Sequence, residues 1–202
     1  MDDHEIVKTG TTTVGVVCKD GVILGTESQA TLGNTVASDK ATKIYKINDY
    51  IAATIAGSVA DCQHLVKLVG AYAKLKNLDE NKRPTVKSMA ALTSNLLFRA
   101  RTFPFLSELI IGGYDDSGPK LYSMDPLGSL LEDTEYTASG SGAVIALGVL
   151  EAEYNKKMTI AEGVELVKRA ITAAKQRDIG SGGAINIAII TKDGIEFKKI
   201  QA

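Results

Sequence analysis

The feature that most constrains the fold is the order in which predicted strands and helices follow one another. The segments TTVGVVC and VILGTE flank the turn KDG, and KIYKI and YIAATIAG flank the turn ND. Short turns join antiparallel strands, whereas parallel strands require a crossover of a dozen or more residues. These segments therefore predict antiparallel hairpins and exclude a repeating strand–helix–strand architecture.

Two pairs of predicted helices interrupt the hairpins. SVADCQHLVKLVGAYAKLKNL is followed by TVKSMAALTSNLLFRAR, and Asn77 with the polar run DENKR is predicted to end the first of these helices. AVIALGVLEAEY is followed by TIAEGVELVKRAITAAKQR, where Thr159 and Glu162 fit a capping box. The hairpins ELIIGGY–KLYSMDP and AINIAIITK–IEFKKI complete the order. The predicted fold class is α+β: a four-layer αββα sandwich, in which two antiparallel sheets pack face to face and a helix pair covers each outer face.

Composition excludes several classes of function. The chain has 202 residues, of which 45% are hydrophobic, which suits one domain with a sizeable core. The net charge of −1 predicts neither nucleic acid nor an anionic membrane surface as a partner. No apolar stretch approaches the ~20 residues of a membrane span, and the acidic amino-terminal segment lacks the apolar centre of a signal peptide. We therefore expect a soluble cytoplasmic protein.

The few histidines and cysteines limit the kinds of catalytic or metal site that the chain can form. Cys18 and Cys62 lie in apolar segments and are predicted to be buried free thiols. His4 and His64 are too few for a multi-histidine zinc site, so no metal is expected. The glycine-rich ASGSGA lacks the Lys-Ser/Thr of a P-loop and the third glycine of a dinucleotide fingerprint, so no other cofactor is expected either. A hydrolase built on this sequence would use a base other than imidazole.

The polar segment MDDHEIVKTG ends in Gly10 directly before Thr11. A threonine hydroxyl becomes nucleophilic when a base lies within hydrogen-bond reach. If the chain were cut after Gly10, the new α-amino group of Thr11, with a pKa of about 7.7–8.0, would be such a base. Glycine at the cut permits close approach to its carbonyl group. On this segment alone, a threonine that merely begins a strand behind a leader remains an alternative.

Further segments support the interpretation that Thr11 is a nucleophile exposed by cleavage after Gly10. GTTTVG, TES at 26–28, AGSVAD at 56–61, GSG at 140–142 and KQRDIGSGG at 175–183 together resemble the β-type subunits of the 20S proteasome, most closely the archaeal ones. The resemblance runs from Thr11 to about residue 197. This family consists of N-terminal-threonine hydrolases with an αββα sandwich, in agreement with the predicted layers. It implies that residues 1–10 form a self-cleaved propeptide and residues 11–202 a single catalytic domain.

The resemblance implies a catalytic group around the Thr11 hydroxyl. Thr11 matches the nucleophile that is exposed by cleavage after Gly10. Lys43 matches the lysine beside the hydroxyl, and Glu27 matches the acidic residue, more often aspartate in the family, that holds this lysine. Gly57 matches the residue whose backbone N–H stabilises the oxyanion. A positive charge at Lys43 favours a developing alkoxide, and pairing with Glu27 compensates for its burial.

A second group is implied around the threonine amino group. Asp178 and Ser181 match the pair that orients this amine, and Ser141 matches the serine that completes the network. The chain departs from the family pattern at Ala143, where GSGS is common, and at Ala60, where AGSVGD is usual. Both departures adjoin important loops and could alter the rate of catalysis or of processing.

The resemblance also implies a substrate-binding site of uncharged residues. These are Ala30, Thr31, Ala41, Tyr45, Ile55 and Val59. Thr31 matches a residue that pairs with the substrate backbone, and the others match the wall of the specificity pocket. Small side chains at positions 30 and 41 leave room, which favours cleavage after apolar residues.

The implied partners are those of a compartmentalised protease. They are other β subunits in stacked heptameric rings, α-type subunits, an ATPase regulator and unfolded polypeptide substrates. Two alternatives remain open. The segment QATLGNTV is similar to the bacterial HslV-like peptidases, whose rings contact an ATPase directly, and a subunit of this family can also be a non-catalytic ring scaffold. Intact Thr11, Lys43 and Asp178 argue against the scaffold.

Overall fold

A computed structural model of the chain describes residues 10–201, apart from the side chain of Glu80. Residues 1–9 and Ala202 lie outside the described part, so only Gly10 of the predicted propeptide is included. The described residues form two five-stranded sheets, one two-stranded hairpin and four α-helices.

The first sheet is antiparallel throughout and has the order β10-β1-β2-β11-β12. Its strands in that order are Tyr136–Ser139, Thr13–Cys18, Gly21–Glu27, Ile185–Thr191 and Gly194–Ile200. The register pairs Thr13 with Thr26, so that the beginning of β1 lies beside the end of β2. The sheet thereby brings Thr11 and Glu27 to the same edge of the molecule.

The second sheet is also antiparallel and has the order β5-β6-β7-β8-β9. Its strands are Ile44–Asn48, Ile51–Gly57, Ser107–Asp115, Gly118–Met124 and Leu131–Glu132. A separate hairpin of β3 (Ala30–Leu32) and β4 (Thr35–Ser38) follows β2 and is largely exposed. The sequence prediction contains neither this hairpin nor the short strands β9 and β10.

The helices pack in pairs on the outer faces. Helices α1 (Val59–Glu80) and α2 (Val86–Arg99) cover the second sheet, and α3 (Ala143–Glu153) and α4 (Ile160–Lys175) cover the first. The predicted capping box at the start of α4 is confirmed: the Thr159 hydroxyl accepts from the backbone of Glu162, whose carboxylate accepts from the backbone of Thr159. Satisfying these free amides stabilises the first turn.

Helix α1 passes Asn77, one of the residues predicted to end it, and stops within the polar run DENKR, which is the other part of that prediction. The helix continues to Glu80, and the chain leaves it at Asn81, whose φ of 49° is left-handed. Polar residues such as Asp79 do not stop a helix, since their side chains remain in water on its exposed face. Asparagine tolerates the left-handed conformation better than most residues, and it therefore provides the actual stop.

Three apolar layers hold the sandwich together. Two lie between a sheet and its helix pair. The third lies between the sheets and consists of Val22, Leu24, Ile44, Ala52, Ile110, Leu121, Ala188 and Ile190. At Gly112 an added Cβ would lie 2.8 Å from a Val22 methyl group, so the absence of a side chain there lets the sheets approach closely. The predicted αββα sandwich is thus confirmed.

Cys18 and Cys62 are both buried free thiols, as the sequence predicts. Burial raises the pKa of each thiol to about 12, and the thiolate is the form that reacts with alkylating reagents. We expect the native protein to resist iodoacetamide at mildly alkaline pH, whereas both thiols react once the chain is denatured. Intact-mass measurements count the adducts. Rapid modification of either cysteine in the folded protein would contradict this expectation.

Candidate active site

The residues of the predicted catalytic group meet where the two sheets present strand ends to the same edge. Thr11 directly precedes β1, and Glu27 is the last residue of β2. Lys43 directly precedes β5, and Gly57 is the last residue of β6. Antiparallel pairing within each sheet and face-to-face packing of the sheets therefore bring together residues that are far apart in the sequence.

The Thr11 hydroxyl lies between a cation and a peptide carbonyl. Thr11 is only 4% exposed. Its Oγ1 accepts a hydrogen bond from Nζ of Lys43 at 2.8 Å and donates one to the carbonyl oxygen of Gly10 at 2.5 Å. A nucleophile, a positive charge and the peptide bond before Thr11 are thus in direct contact.

Lys43 forms a buried ion pair with Glu27. Oε2 of Glu27 also accepts from the backbone N–H of Gln29 at 2.6 Å and of Gly182 at 3.1 Å, and Oε1 accepts from the N–H of Thr12 at 3.4 Å. These donors fix the carboxylate, which in turn fixes the ammonium group beside the threonine.

Burial perturbs both members of this pair. Removal from water disfavours the charged forms, so burial lowers the pKa of Lys43 and raises that of Glu27. The attraction between the two charges and the hydrogen bond that joins them oppose both shifts. A lysine with a lowered pKa gives up a proton more easily than an exposed one, which suits a group in contact with a reacting hydroxyl.

A hydrogen-bond network surrounds the Thr11 nitrogen. This nitrogen donates to Oγ of Ser141 at 3.1 Å, and the same hydroxyl donates to Oδ2 of Asp178 at 2.7 Å. The Ser181 hydroxyl donates to the same carboxylate oxygen at 2.6 Å and lies 2.7 Å from the Thr12 hydroxyl. The structure thus brings Ser141, Asp178 and Ser181 together beside the Thr11 nitrogen.

Gly10 occupies a position that no other residue fits without rearrangement. A Cβ on Gly10 would lie 2.1 Å from the Cα of Gly180, in the loop that follows Asp178. The Gly10 nitrogen donates to the Thr31 hydroxyl at 3.2 Å, which ties the chain before Thr11 to β3. The bond between Gly10 and Thr11 is therefore held in place on both sides.

Gly57 also requires the absence of a side chain. Its φ is +116°, and a Cβ there would lie 2.2 Å from the carbonyl oxygen of Leu106. A residue with a side chain would be strained in this conformation and would displace the adjoining backbone. Gly57 lies beside Thr11 in the same pocket, and its predicted role towards an oxyanion remains a prediction.

A small pocket opens next to Thr11; we call it the threonine pocket. Its lining consists of Gly10, Thr11, Gln29, Ala30, Thr31, Ala41, Thr42, Lys43, Ile55, Gly57 and Val59. The lining contains every predicted substrate-binding residue except Tyr45. Gln29 and Thr42 also line the pocket and were not predicted, although each directly adjoins a predicted substrate-binding residue.

The structure places Tyr45 outside the lining of the threonine pocket. Its ring packs, partly buried, against the core between α1 and the second sheet. The Tyr45 hydroxyl donates to the Thr42 carbonyl at 2.9 Å and accepts from Gln63 at 3.2 Å. Tyr45 and Ile47 share the face of β5 that is turned towards α1, because alternate residues of a strand face the same side.

Residues 10–201 contain neither a candidate metal site nor a candidate membrane-spanning helix. No group of three or more histidine, cysteine, aspartate or glutamate side chains in this part of the chain is placed to hold a metal ion. None of the helices described has both the length and the apolar content that crossing a membrane requires.

An αββα sandwich in which a buried threonine directly precedes the first strand and contacts a lysine resembles the proteasome-type subunits. A family model described as "Proteasome subunit" matches residues 7–190. A proteasome subunit beta of Methanocaldococcus jannaschii is 51% identical over 192 residues, which are 95% of this chain and 86% of that protein. One of Methanococcus aeolicus is 50% identical over 197 residues, 97% of this chain and 91% of that protein. The chain belongs to the proteasome subunit family, among its β-type members.

Proposed function

We propose that this β-type subunit is a threonine endopeptidase whose nucleophile is Oγ1 of Thr11. The observation that carries the proposal is the position of this hydroxyl, which contacts both Nζ of Lys43 and the carbonyl group of Gly10. The hydroxyl thus already lies beside the Gly10–Thr11 peptide bond, whose cleavage would make Thr11 the amino-terminal residue. A threonine that merely begins a strand requires neither contact.

The first reaction is self-cleavage between Gly10 and Thr11. Oγ1 attacks the Gly10 carbonyl carbon, and the bond from that carbon to the Thr11 nitrogen breaks. The hydroxyl proton is transferred to the departing nitrogen, which leaves an ester between Gly10 and the threonine oxygen. Water then hydrolyses the ester, releases residues 1–10 with a free carboxylate, and restores the hydroxyl beside a free α-amino group.

The second reaction is hydrolysis of a substrate peptide bond. The α-amino group, with an ordinary pKa of about 7.7–8.0, accepts the hydroxyl proton as Oγ1 attacks the substrate carbonyl. The backbone N–H of Gly57 stabilises the oxyanion, a contribution of roughly 3–4 kcal/mol for one such donor. The amino group then protonates the leaving amine, and water hydrolyses the remaining ester.

Two sets of contacts support these roles. The Ser141 hydroxyl, which is anchored by Asp178, already accepts a hydrogen bond from the Thr11 nitrogen and would orient the amine after cleavage. The buried charge of Lys43 would stabilise the developing alkoxide at 2.8 Å. Preorganised groups of this kind need not reorient during the reaction.

The lining of the threonine pocket supports a preference for apolar residues before the cleaved bond. Ala30 and Ala41 contribute little volume, and Ile55 and Val59 are apolar. Lys43, the charged residue of the lining, is engaged by Glu27 and Thr11. A charged substrate side chain would lose its hydration in this pocket with little compensation.

Membership of the family implies assembly with other proteasome subunits. We propose stacked heptameric β rings bounded by α-type subunits, in the cytoplasm, with an ATPase regulator that delivers unfolded polypeptides. Several exposed apolar side chains on the helices support extensive contacts between subunits, among them Leu75 and Leu78 of α1 and Val144 and Leu147 of α3. Enclosure of the threonine in a chamber would protect folded proteins of the cell.

The test combines sizing, N-terminal sequencing and a fluorogenic-peptide assay. The chain is expressed with its leader and analysed alone and after mixing with archaeal α-type subunits. We expect the chain alone to keep its leader and to remain largely inactive. The mixture should yield a large particle whose β chains begin at Thr11 and cleave after apolar residues.

The same measurements separate the alternatives. Full activity of rings formed without α-type subunits would favour an HslV-like peptidase. A large particle in which the β chains keep residues 1–10 and cleave nothing would favour a scaffold subunit. Full activity in a monomer-sized fraction would refute the enclosed chamber while leaving the role of Thr11 open.

A further inference from the structure

A second pocket, larger than the threonine pocket, adjoins it at Gly57. The two pockets share Thr31, Gly57 and Val59, so they belong to one continuous cleft. The lining of the second pocket also includes Gly140 and Ser141. A substrate chain that reaches Thr11 through this cleft would therefore contact both pockets.

The position of Gly10 distinguishes the two pockets. Gly10 lines the threonine pocket, which therefore receives residues on the acyl side of the cleaved bond. The second pocket contains Ser141 instead, which contacts the nitrogen of Thr11. In self-cleavage this nitrogen is the leaving group, so the second pocket adjoins the leaving-group side of the reacting carbonyl.

Glu108 is the charged residue in the lining of the second pocket. It lies on β7 and shares a strand face with Ile110, which packs between the sheets. Its Oε2 accepts hydrogen bonds from the Ser139 hydroxyl and from the Gly140 nitrogen, the latter at 3.1 Å. The carboxylate is therefore fixed across the gap between the sheets.

The second oxygen of this carboxylate is available to a ligand. Within residues 10–201, Oε1 of Glu108 has no hydrogen-bond partner, and Glu108 forms no ion pair. Leu32, Leu106 and Pro126 supply apolar walls nearby. A fixed, unpaired carboxylate beside apolar surface suits a long basic side chain, whose stem packs on the walls while its charged end meets the oxygen.

We propose that Glu108 makes the second pocket a subsite for a lysine or arginine side chain among the substrate residues that follow the cleaved bond. This inference rests on the proposed peptidase function. The acyl side of the cleft selects apolar residues, whereas the leaving side selects a positive charge. Peptide bonds between an apolar and a basic segment are then preferred sites of cleavage.

The Glu108→Gln variant isolates the charge from the structural role of the side chain. The glutamine carbonyl oxygen can still accept from Ser139 and Gly140, so the loop that carries Ser141 stays in place. Asp116→Asn is the matched control, because it removes a carboxylate from the exposed turn between β7 and β8. A variant that disturbs the loop would slow cleavage of all peptides alike, whereas loss of the charge affects only basic ones.

The assay uses assembled particles and peptides that differ only after the cleaved bond, where each carries lysine, arginine or norleucine. Mass spectrometry locates the cut, and initial rates give kcat/KM. For Glu108→Gln we expect a loss of about fivefold on the basic peptides, the size expected of one partly exposed ion pair. Rates on the norleucine peptides, and all rates of Asp116→Asn, should stay within about twofold.

Identical selectivity of wild type and Glu108→Gln would overturn the proposal, as would a change confined to residues before the bond. Fluorescence anisotropy with a labelled lysine peptide, in which a methylene-amine replaces the amide that would be cleaved, supplies a readout that does not depend on cleavage, and the variant should bind it about fivefold more weakly. Equal binding also overturns the proposal. Failure of wild type to cleave any peptide, together with a persisting difference in binding, would refute the peptidase function and not the subsite.

Discussion

The Thr11→Ala variant is expected to keep residues 1–10 and to hydrolyse no peptide. The substitution removes the hydroxyl that contacts both Lys43 and the Gly10 carbonyl, so neither self-cleavage nor substrate attack has a nucleophile. Loss of the nucleophile in a hydrolase that forms an acyl intermediate lowers turnover on the order of 10⁶-fold. Intact-mass measurement of the β chain and a fluorogenic-peptide assay on the assembled particle follow the two effects.

Thr11→Ser is the matched control, since it keeps a hydroxyl at the same position and loses only a methyl group. We expect this variant to release the leader and to retain activity well above that of Thr11→Ala. Release of residues 1–10 by Thr11→Ala at the wild-type rate, without added protease, would show that another agent cuts the chain. Peptidase activity that survived Thr11→Ala in a protease-free preparation would exclude Thr11 as the nucleophile.

The layers of the fold could be predicted because each is encoded locally. Short turns between apolar strands fix antiparallel pairing, and helical periodicity with the capping box at Thr159 fixes the helices. The almost entirely apolar strands β6 and β11 reveal burial on both faces. These signals require no knowledge of distant parts of the chain.

The missing strands depend on distant partners. Strand β10 has intermediate burial at every position and exists because it pairs with the edge of β1. The β3–β4 hairpin is mostly exposed and lacks a clear alternation of apolar and polar residues. Neither β10 nor the β3–β4 hairpin can be recognised from a short stretch of sequence, because the amino-acid composition of both resembles that of a loop.

The candidate site was predictable from the residues only in part. The Gly10–Thr11 pair was predicted from its chemistry, because cleavage there would give the Thr11 hydroxyl an α-amino group as its base. Lys43 and Asp178 carry no local signal and were predicted only through the resemblance. Their proximity to Thr11 arises from the packing of the two sheets. Glu108 was missed for the same reason, because its contact with the loop at Gly140 joins opposite sheets.

The Lys43→Ala variant should lose at least about 100-fold in turnover, the loss caused by removal of one preorganised stabilising group. It should also lose stability, because Lys43 is 5% exposed and its partner Glu27 is fully buried. An isolated buried carboxylate costs about 3–5 kcal/mol. Fluorogenic-peptide assays and denaturant unfolding measure the two losses separately.

The loss of stability in Lys43→Ala should depend on pH. Burial already raises the pKa of Glu27 in the native protein, and removal of the neighbouring cation raises it further. The folded variant then binds a proton more tightly than the unfolded chain does, so its stability increases as the pH falls from neutral through the raised pKa. Unfolding curves over this pH range should show that increase, in contrast to those of Glu27→Gln/Lys43→Ala, which has no carboxyl group at position 27.

A double variant separates the structural role of Lys43 from its catalytic role. Glu27→Gln/Lys43→Met removes both charges and replaces the lysine by an apolar side chain of similar length, and such replacements of buried ion pairs often preserve stability. We expect the double variant to regain most of the lost stability and to remain inactive, because no cation then contacts the Thr11 hydroxyl. Recovery of activity together with stability would instead mean that Lys43 supports the site only by neutralising the buried charge of Glu27. The α-amino group of Thr11 would then activate the hydroxyl without help from a cation.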